Sequence, residues 1–163
     1  MEFFRRQGQR YVAVLDEIES LVLSTFVAQM RSVVLGDLPS DWVEHEPLRR
    51  VFPPASLDDP MLATEFAELT SQTLQQSKAE RLAALARFLA DGQVDLDLGQ
   101  ARAAVAAFND ARLITAALIG EDRAGQAFDQ PNQLINSEQA VYEQTYRLLS
   151  ALQSSLVDAL MEE

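Results

Sequence analysis

The sequence lacks cysteine and has a single histidine, His45, among its 163 residues. Disulfides, thiol nucleophiles, zinc–thiolate sites and redox switching on sulfur are therefore excluded. Any catalytic dyad or metal site built on histidine would depend on His45 alone. Glycine-rich phosphate-binding motifs are missing too, since the six glycines are scattered along the chain. These absences favour a protein that is not an enzyme and that uses neither a metal ion nor a cofactor.

Basic residues are scarce: 13 lysines and arginines stand against 25 acidic residues, which gives a net charge of −12. A field of this sign repels phosphate backbones and anionic lipid surfaces, so direct binding to nucleic acid or to a membrane is disfavoured. The apolar runs are far shorter than a membrane span, and acidic residues interrupt the region where a signal peptide would be apolar. We expect a cytoplasmic protein whose partner is another protein or a second copy of itself.

Helical periodicity accounts for most of the chain. The predicted helices cover residues 16–36, 59–91, 97–119 and 137–161. Aromatic and β-branched residues predict a β-hairpin over residues 3–14, with Gln7–Gly8 as its turn. A proline-rich connector is expected over residues 37–55. The length fits one domain, residues 1–163, and the fold class is all-α: a bundle of about four long helices with a short N-terminal hairpin.

The first predicted helix has a stripe of residues at helical spacing that we expect to face the core. The stripe consists of Ile18, Leu21, Val22, Thr25, Met30, Val33 and Val34. The helix over residues 97–119 is apolar on nearly every side between residues 103 and 119, which predicts a central, buried position in the bundle.

Asn109, Asp110 and Arg112 interrupt this central helix and form the candidate site. Arg112 lies one turn after Phe108 on the apolar face, so its charge must be paired. The expected partner is Glu65, on the inner side of the second helix. Two interpretations stay open, a buried ion pair that fixes helix register and a polar pocket that binds a small acid or a partner's side chain.

A second candidate is the basic segment formed by Arg5, Arg6 and Arg10 beside Phe3 and Phe4. Aromatic rings next to arginines can hold single-stranded nucleic acid by stacking and charge. Arginines on an edge strand also discourage aggregation, and three of them are too few to specify nucleic acid. We expect a contact patch or a protected strand edge here.

Several short segments occur in an order and spacing that resembles the actinobacterial AosR-like family, long catalogued as a domain of unknown function. In chain order they are Pro47–Leu48–Arg49–Arg50–Val51–Phe52–Pro53, Asp59–Pro60, Glu65–Phe66–Ala67–Glu68–Leu69–Thr70, Val94–Asp95–Leu96–Asp97, Phe108–Asn109–Asp110–Ala111–Arg112–Leu113 and Leu118–Ile119–Gly120, followed by Tyr142 or Tyr146. The similarity spans nearly the whole chain.

The resemblance implies a cytoplasmic, non-enzymatic helical regulator of transcription tied to oxidative stress, often encoded near the Clp protease adaptor. Thiol sensing in the family's best-known branch needs a cysteine pair, so it does not carry over to this chain. The resemblance and the acidic charge together imply a protein partner from the transcription or Clp machinery. Glu65, Phe66, Asn109, Asp110 and Arg112 match the family pattern. The alternative function is small-ligand binding in a Glu65/Arg112 pocket.

Overall fold

A computed structural model describes the backbone of residues 1–35, 60–119 and 137–162, and the side chains of residues 1–32, 34–35, 72–116, 119 and 140–162. Its elements in chain order are β1 (Glu2–Gln7), β2 (Arg10–Val14), α1 (Glu17–Leu35), α2 (Pro60–Ala90), β3 (Gln93–Leu96), α3 (Leu98–Ile119) and α4 (Ser137–Met161). The described chain is mostly helical, with four long helices and an N-terminal strand pair, as the sequence predicts. The predicted connector over residues 37–55 lies outside the described residues.

The hairpin differs from its prediction by one residue. Gln7 pairs with Arg10, so the turn consists of Gly8 and Gln9. Gly8 has a φ of +62°, whereas Gln9 has a negative φ, which is the pattern of a type II′ turn with glycine first. The turn therefore begins at the one residue here that adopts a positive φ without a steric penalty.

A third strand, β3, was not predicted. It pairs antiparallel with β2, and the sheet order is β1-β2-β3. Val94 and Leu96 are buried and Gln93 and Asp95 are exposed, so the strand alternates over four residues. An alternation this short gives a weak sequence signal, and a helix cap follows it directly.

Reciprocal capping boxes fix the starts of α1 and α3. The backbone N–H of Asp16 donates to the Glu19 carboxylate at 2.9 Å, and that of Glu19 donates to Asp16 Oδ1 at 2.8 Å. Asp97 and Gln100 repeat the arrangement, at 2.9 and 2.8 Å. Each box satisfies N–H groups that the helix itself leaves without acceptors, so both helices begin at defined residues.

α2 ends where α1 begins, so the two helices run antiparallel. The Ser20 hydroxyl lies 2.6 Å from the carbonyl oxygen of Leu89 and 3.0 Å from that of Ala90, where it caps the end of α2. Gly92 follows with a φ of +70°, and its carbonyl accepts from Leu15 N–H at 2.7 Å. α2 continues without a break from Pro60 to Ala90, in agreement with the helix predicted over residues 59–91.

α3 is the central helix, packed against α2 on one side and α4 on the other, with the sheet at its N-terminal end. The largest fully buried side chains are Phe108, Leu23, Leu82, Leu85, Leu89, Leu96, Leu149, Leu152 and Leu156. Phe4 meets Phe108 edge to face at 6.2 Å and joins the sheet to the helical core.

The sheet lies at one end of the bundle. Phe4 N–H donates to Ser155 Oγ at 3.2 Å, and the Arg6 guanidinium donates to the Glu162 carbonyl, so the end of α4 reaches β1. α1 and α3 both start at this end. The ends of α1 and α3 and the starts of α2 and α4 therefore lie at the opposite end.

Candidate functional site

The polar residues predicted on the central helix do not form one cluster. Successive residues of an α-helix are rotated by about 100°, so Asp110 and Arg112 point to opposite sides of α3. Asp110 faces α2, Arg112 faces α4, and Asn109 is exposed. The side chain of Glu65 lies outside the described residues, and its pairing with Arg112 stays a prediction.

Asp110 is buried against two cations of α2. Its carboxylate lies 2.8 Å from Lys78 Nζ and 3.4 Å from an Arg81 guanidinium nitrogen, and its side chain is 5% exposed. A buried carboxylate needs such partners, because an unpaired charge in a protein interior costs several kcal/mol. Both oxygens of Asp110 are engaged in this way. This group ties α3 to α2.

Sequence reasoning missed both cations. Lys78 is the single lysine of the chain, and Arg81 follows it by three residues, so both lie on one face of α2. Two cations at helical spacing, opposite an acid in an otherwise apolar helix, were the available signal.

Arg112 is half-buried and contacts neutral groups of α4. Its Nε donates to Ser150 Oγ at 2.8 Å, a second nitrogen donates to Gln153 Oε1 at 2.5 Å, and a third lies 3.5 Å from the Tyr146 hydroxyl. The guanidinium also lies over the Tyr146 ring, 5.4 Å from its centroid. Among the described residues, no carboxylate oxygen lies within 4.0 Å of Arg112.

Arg147 adds a second guanidinium to the same side of the bundle. Its Nε is buried and has no hydrogen-bond partner among the described residues. Both arginines line a shallow depression of about 520 Å³ on the α3–α4 face. Its other lining residues are Ser150, Ala151, Gln153, Ser154 and Val157. The arrangement is a cationic, hydroxyl-rich surface on an acidic protein, and it suits an anionic group.

The basic segment of the hairpin is largely neutralised. Arg10 lies 2.8 Å from Asp95 on β3, and Arg5 lies 3.4 Å from Glu2. Arg6 donates to the Gly8 and Glu162 carbonyls. Arg5 pairs with Val12 and Arg6 with Tyr11, so the two neighbouring arginines lie on opposite faces of the sheet. The structure does not gather the three arginines into one patch.

α1 has apolar residues on two faces. Of the stripe predicted to face the core, Met30 and Val34 are buried, but its N-terminal residues are exposed. Ile18, Leu21 and Val22 are 74%, 66% and 42% exposed, and Thr25 is exposed as well. The residues of α1 that pack into the core are Leu23, Phe26, Val27, Met30 and Val34. Two stripes at helical spacing compete in this sequence, and packing against α2 buries the one with the larger side chains.

The outer stripe of α1 consists of Ile18, Leu21, Val22, Thr25, Ala28, Gln29 and Ser32, and none of these residues is charged. Leu21 also lines a shallow depression of about 520 Å³ together with Val14 of β2 and Gly92. Asp16, Glu17 and Asp91 line the same depression, so the stripe meets acidic residues on the side toward the sheet. Contiguous exposed apolar surface like that of the stripe is typical of interaction sites.

Fold and surfaces together define a small helical bundle with a three-stranded sheet at one end, an uncharged outer helix face and a cationic depression. None of the described helices is long and apolar enough to cross a membrane. In the described ranges, no three His, Asp or Glu side chains come together to hold a metal ion. The chain belongs to the family described as "Domain of unknown function (DUF2017)", whose family model matches residues 1–160. No curated protein and no solved structure matches the chain.

Proposed function

We propose that this chain is a non-enzymatic regulatory protein that acts through protein–protein contacts, and that the outer stripe of α1 binds a second copy of the chain. The observation that carries the proposal is the stripe itself, seven residues without a charge on a chain of net charge −12. Two copies of so acidic a protein repel each other, so they associate where neither presents charge.

The stripe is complementary to a copy of itself in antiparallel orientation. It is symmetric about Thr25, with Ile18, Leu21 and Val22 on its N-terminal side, and the small residues Ala28 and Ser32 on its C-terminal side together with Gln29. In an antiparallel pair that crosses at Thr25, Leu21 faces the partner's Ala28. Ile18 faces the partner's Ser32 in the same way. Large side chains then pack over small ones, in a two-fold symmetric contact.

Charged residues beside the stripe favour the same orientation. Glu17 and Arg31 are exposed and flank the stripe on the same side, near opposite ends of the helix. An antiparallel pair brings Glu17 toward the partner's Arg31, and symmetry repeats the pair. Flanking pairs of this kind select the orientation of paired helices. Because one helix face is a small interface, we expect a dimer with a micromolar Kd.

The regulatory setting of the proposal rests on the resemblance to the AosR-like family, with a site of action in the cytoplasm. A transcription or stress-response role without cysteine requires a signal other than thiol oxidation. A role without direct DNA contact is supported by the acidic charge and by the pairing of Arg5 and Arg10 with carboxylates. The partners to test are therefore polymerase subunits, sigma factors and Clp components.

The test is sedimentation velocity over a concentration series, with Leu21→Glu and a matched control. Leu21→Glu places a charge on the stripe, one turn before its centre at Thr25, and we expect it to abolish the dimer. Val141→Glu makes the same change at a residue of α4 that is 53% exposed and lies outside the stripe, and we expect it to dimerise like the wild type.

A wild-type chain that stays monomeric at every concentration would contradict the second-copy proposal, as would a Leu21→Glu variant that dimerises normally. The regulatory part is tested separately, by pull-down with wild type and Leu21→Glu. Specific recovery of a polymerase subunit, sigma factor or Clp component supports that part, and recovery of none of these argues against it. A second candidate function, small-ligand binding, is favoured by Arg112, which has no carboxylate within 4.0 Å among the described residues.

A further inference from the structure

We propose that Arg112 and Arg147 form an oxyanion site in the α3–α4 depression, which binds the carboxylate or phosphate group of a small molecule. The site differs from the predicted Glu65/Arg112 pocket, since it uses residues of α4. It is also independent of the outer stripe of α1.

The first argument is that Arg112 is held in place by groups that leave its charge intact. Ser150 and Gln153 are neutral acceptors, and each is fixed by a second bond: Ser150 donates to the Tyr146 carbonyl at 2.7 Å, and Gln153 donates to the Val105 carbonyl at 3.2 Å. These contacts orient the guanidinium without neutralising it. Three of its five N–H bonds meet acceptors among the described residues, and the other two meet none there.

The second argument is the presence of Arg147 on the same depression. It lies one turn before Ser150 and Ala151, so its side chain and theirs share one face of α4. The nearest acids along the helix are Glu143 and Asp158, and neither lines the depression. No ion pair within 4.0 Å joins Arg147 to a described carboxylate. Two guanidinium groups thus face one concave surface.

The volume of the depression and the residues that line it favour a small ligand. A depression of about 520 Å³ falls within the range of small-molecule sites. Ala151 and Val157 offer apolar contact beside the arginines, and the exposed Ser154 hydroxyl offers a further donor. At physiological ionic strength, charges beyond about 8 Å are largely screened. The acidic surface elsewhere therefore does not prevent an anion from binding here.

The test is NMR titration of the arginine Nε–Hε signals with sodium phosphate and, separately, sodium succinate, at constant ionic strength. We expect saturable shifts for Arg112 and Arg147 in at least one titration. The exposed Arg102 on α3 is the internal control and should not shift. Saturation by phosphate alone assigns a phosphorylated ligand, and saturation by succinate alone assigns an organic acid.

The matched variants are Arg147→Gln, Arg112→Gln and Arg102→Gln. Loss of either site arginine should raise Kd about tenfold, since each removes a charge-assisted hydrogen bond, whereas Arg102→Gln should leave Kd unchanged. Shifts that do not saturate in either titration, equal shifts at Arg102, or an unchanged Kd in Arg147→Gln would each overturn the proposal. Arg147 makes no described hydrogen bond, so Arg147→Gln tests the site even if Arg112→Gln fails to fold.

Discussion

The two sides of α3 hold ionised side chains in different ways. Toward α2, the Asp110 carboxylate is 5% exposed and meets Lys78 and Arg81, so both of its oxygens are engaged by opposite charge. Toward α4, Arg112 meets hydroxyl and amide oxygens that orient it, and no carboxylate of the described residues lies within 4.0 Å of it. Asp110 has oppositely charged partners within the protein. Arg112 has none among the described residues, and we propose that it binds an anionic ligand.

The charge of the contacting groups, more than the burial of the side chain, distinguishes the ion pair that holds two helices together from the arginine that we propose to bind a ligand. Both groups are at least partly shielded, and both interrupt the same apolar helix. A buried ion pair fixes the position of two helices, and removing one partner is costly because the other charge stays behind. An arginine held by neutral groups can lose those contacts at the lower cost of ordinary hydrogen bonds. The stability of variants on the two sides should therefore differ.

The largest effect is expected for Asp110→Asn. The variant keeps the shape of the side chain but leaves Lys78, which is 12% exposed, and Arg81 without this carboxylate. We expect a loss of about 3 kcal/mol in the free energy of unfolding, at the low end for a broken buried pair because Arg81 is one third exposed. Urea unfolding followed by circular dichroism measures the loss. Asp158→Asn, at an exposed residue of α4, is the control, and equal losses in the two variants would rule out the assigned role of Asp110.

A smaller loss, about 1 kcal/mol, is expected for Arg112→Gln. Ser150 and Gln153 keep the bonds that they donate to the Tyr146 and Val105 carbonyls. Their oxygens lose Arg112 as a donor, but both residues are half-buried and line the open depression, so the cost is that of ordinary hydrogen bonds. The same unfolding measurement applies. A loss of about 3 kcal/mol, matched by an equal loss in Glu65→Gln, would instead reveal the Glu65 ion pair that the sequence predicts.

The sequence predicted the four helices, the hairpin and the central place of α3, because periodicity and caps are local signals. The prediction was wrong where one segment contains two patterns that both fit a helix. In α1, Ile18 and Leu21 belong to one apolar stripe and Leu23 and Val27 to another, and the contact with α2 decides which is buried. Such a contact joins residues far apart in sequence, so periodicity within α1 cannot choose between the stripes.

The candidate site was predicted in part for the same reason. Spacing within α3 already places Asp110 and Arg112 about 200° apart, so their separation could have been recognised from the sequence. Their partners could not, because Lys78 and Ser150 reach them through the packing of whole helices. Arg147 gave no signal at all, since an arginine in an amphipathic helix is ordinarily solvated.

The smallest effect on stability is expected for Arg147→Gln, and this variant separates a role in ligand binding from a role in stability. The buried Nε of Arg147 has no described acceptor, so the variant gives up no hydrogen bond and should unfold within about 0.5 kcal/mol of the wild type. Its effect should appear when a ligand is added. A ligand that binds the native state alone stabilises it in proportion to the logarithm of the ligand concentration, so phosphate or succinate should stabilise the wild type more than Arg147→Gln. Equal stabilisation of both proteins would show that Arg147 does not contribute to ligand binding. A loss above 1 kcal/mol in the absence of ligand would show that Arg147, like Asp110, stabilises the fold, and would argue against a role beside Arg112 in ligand binding.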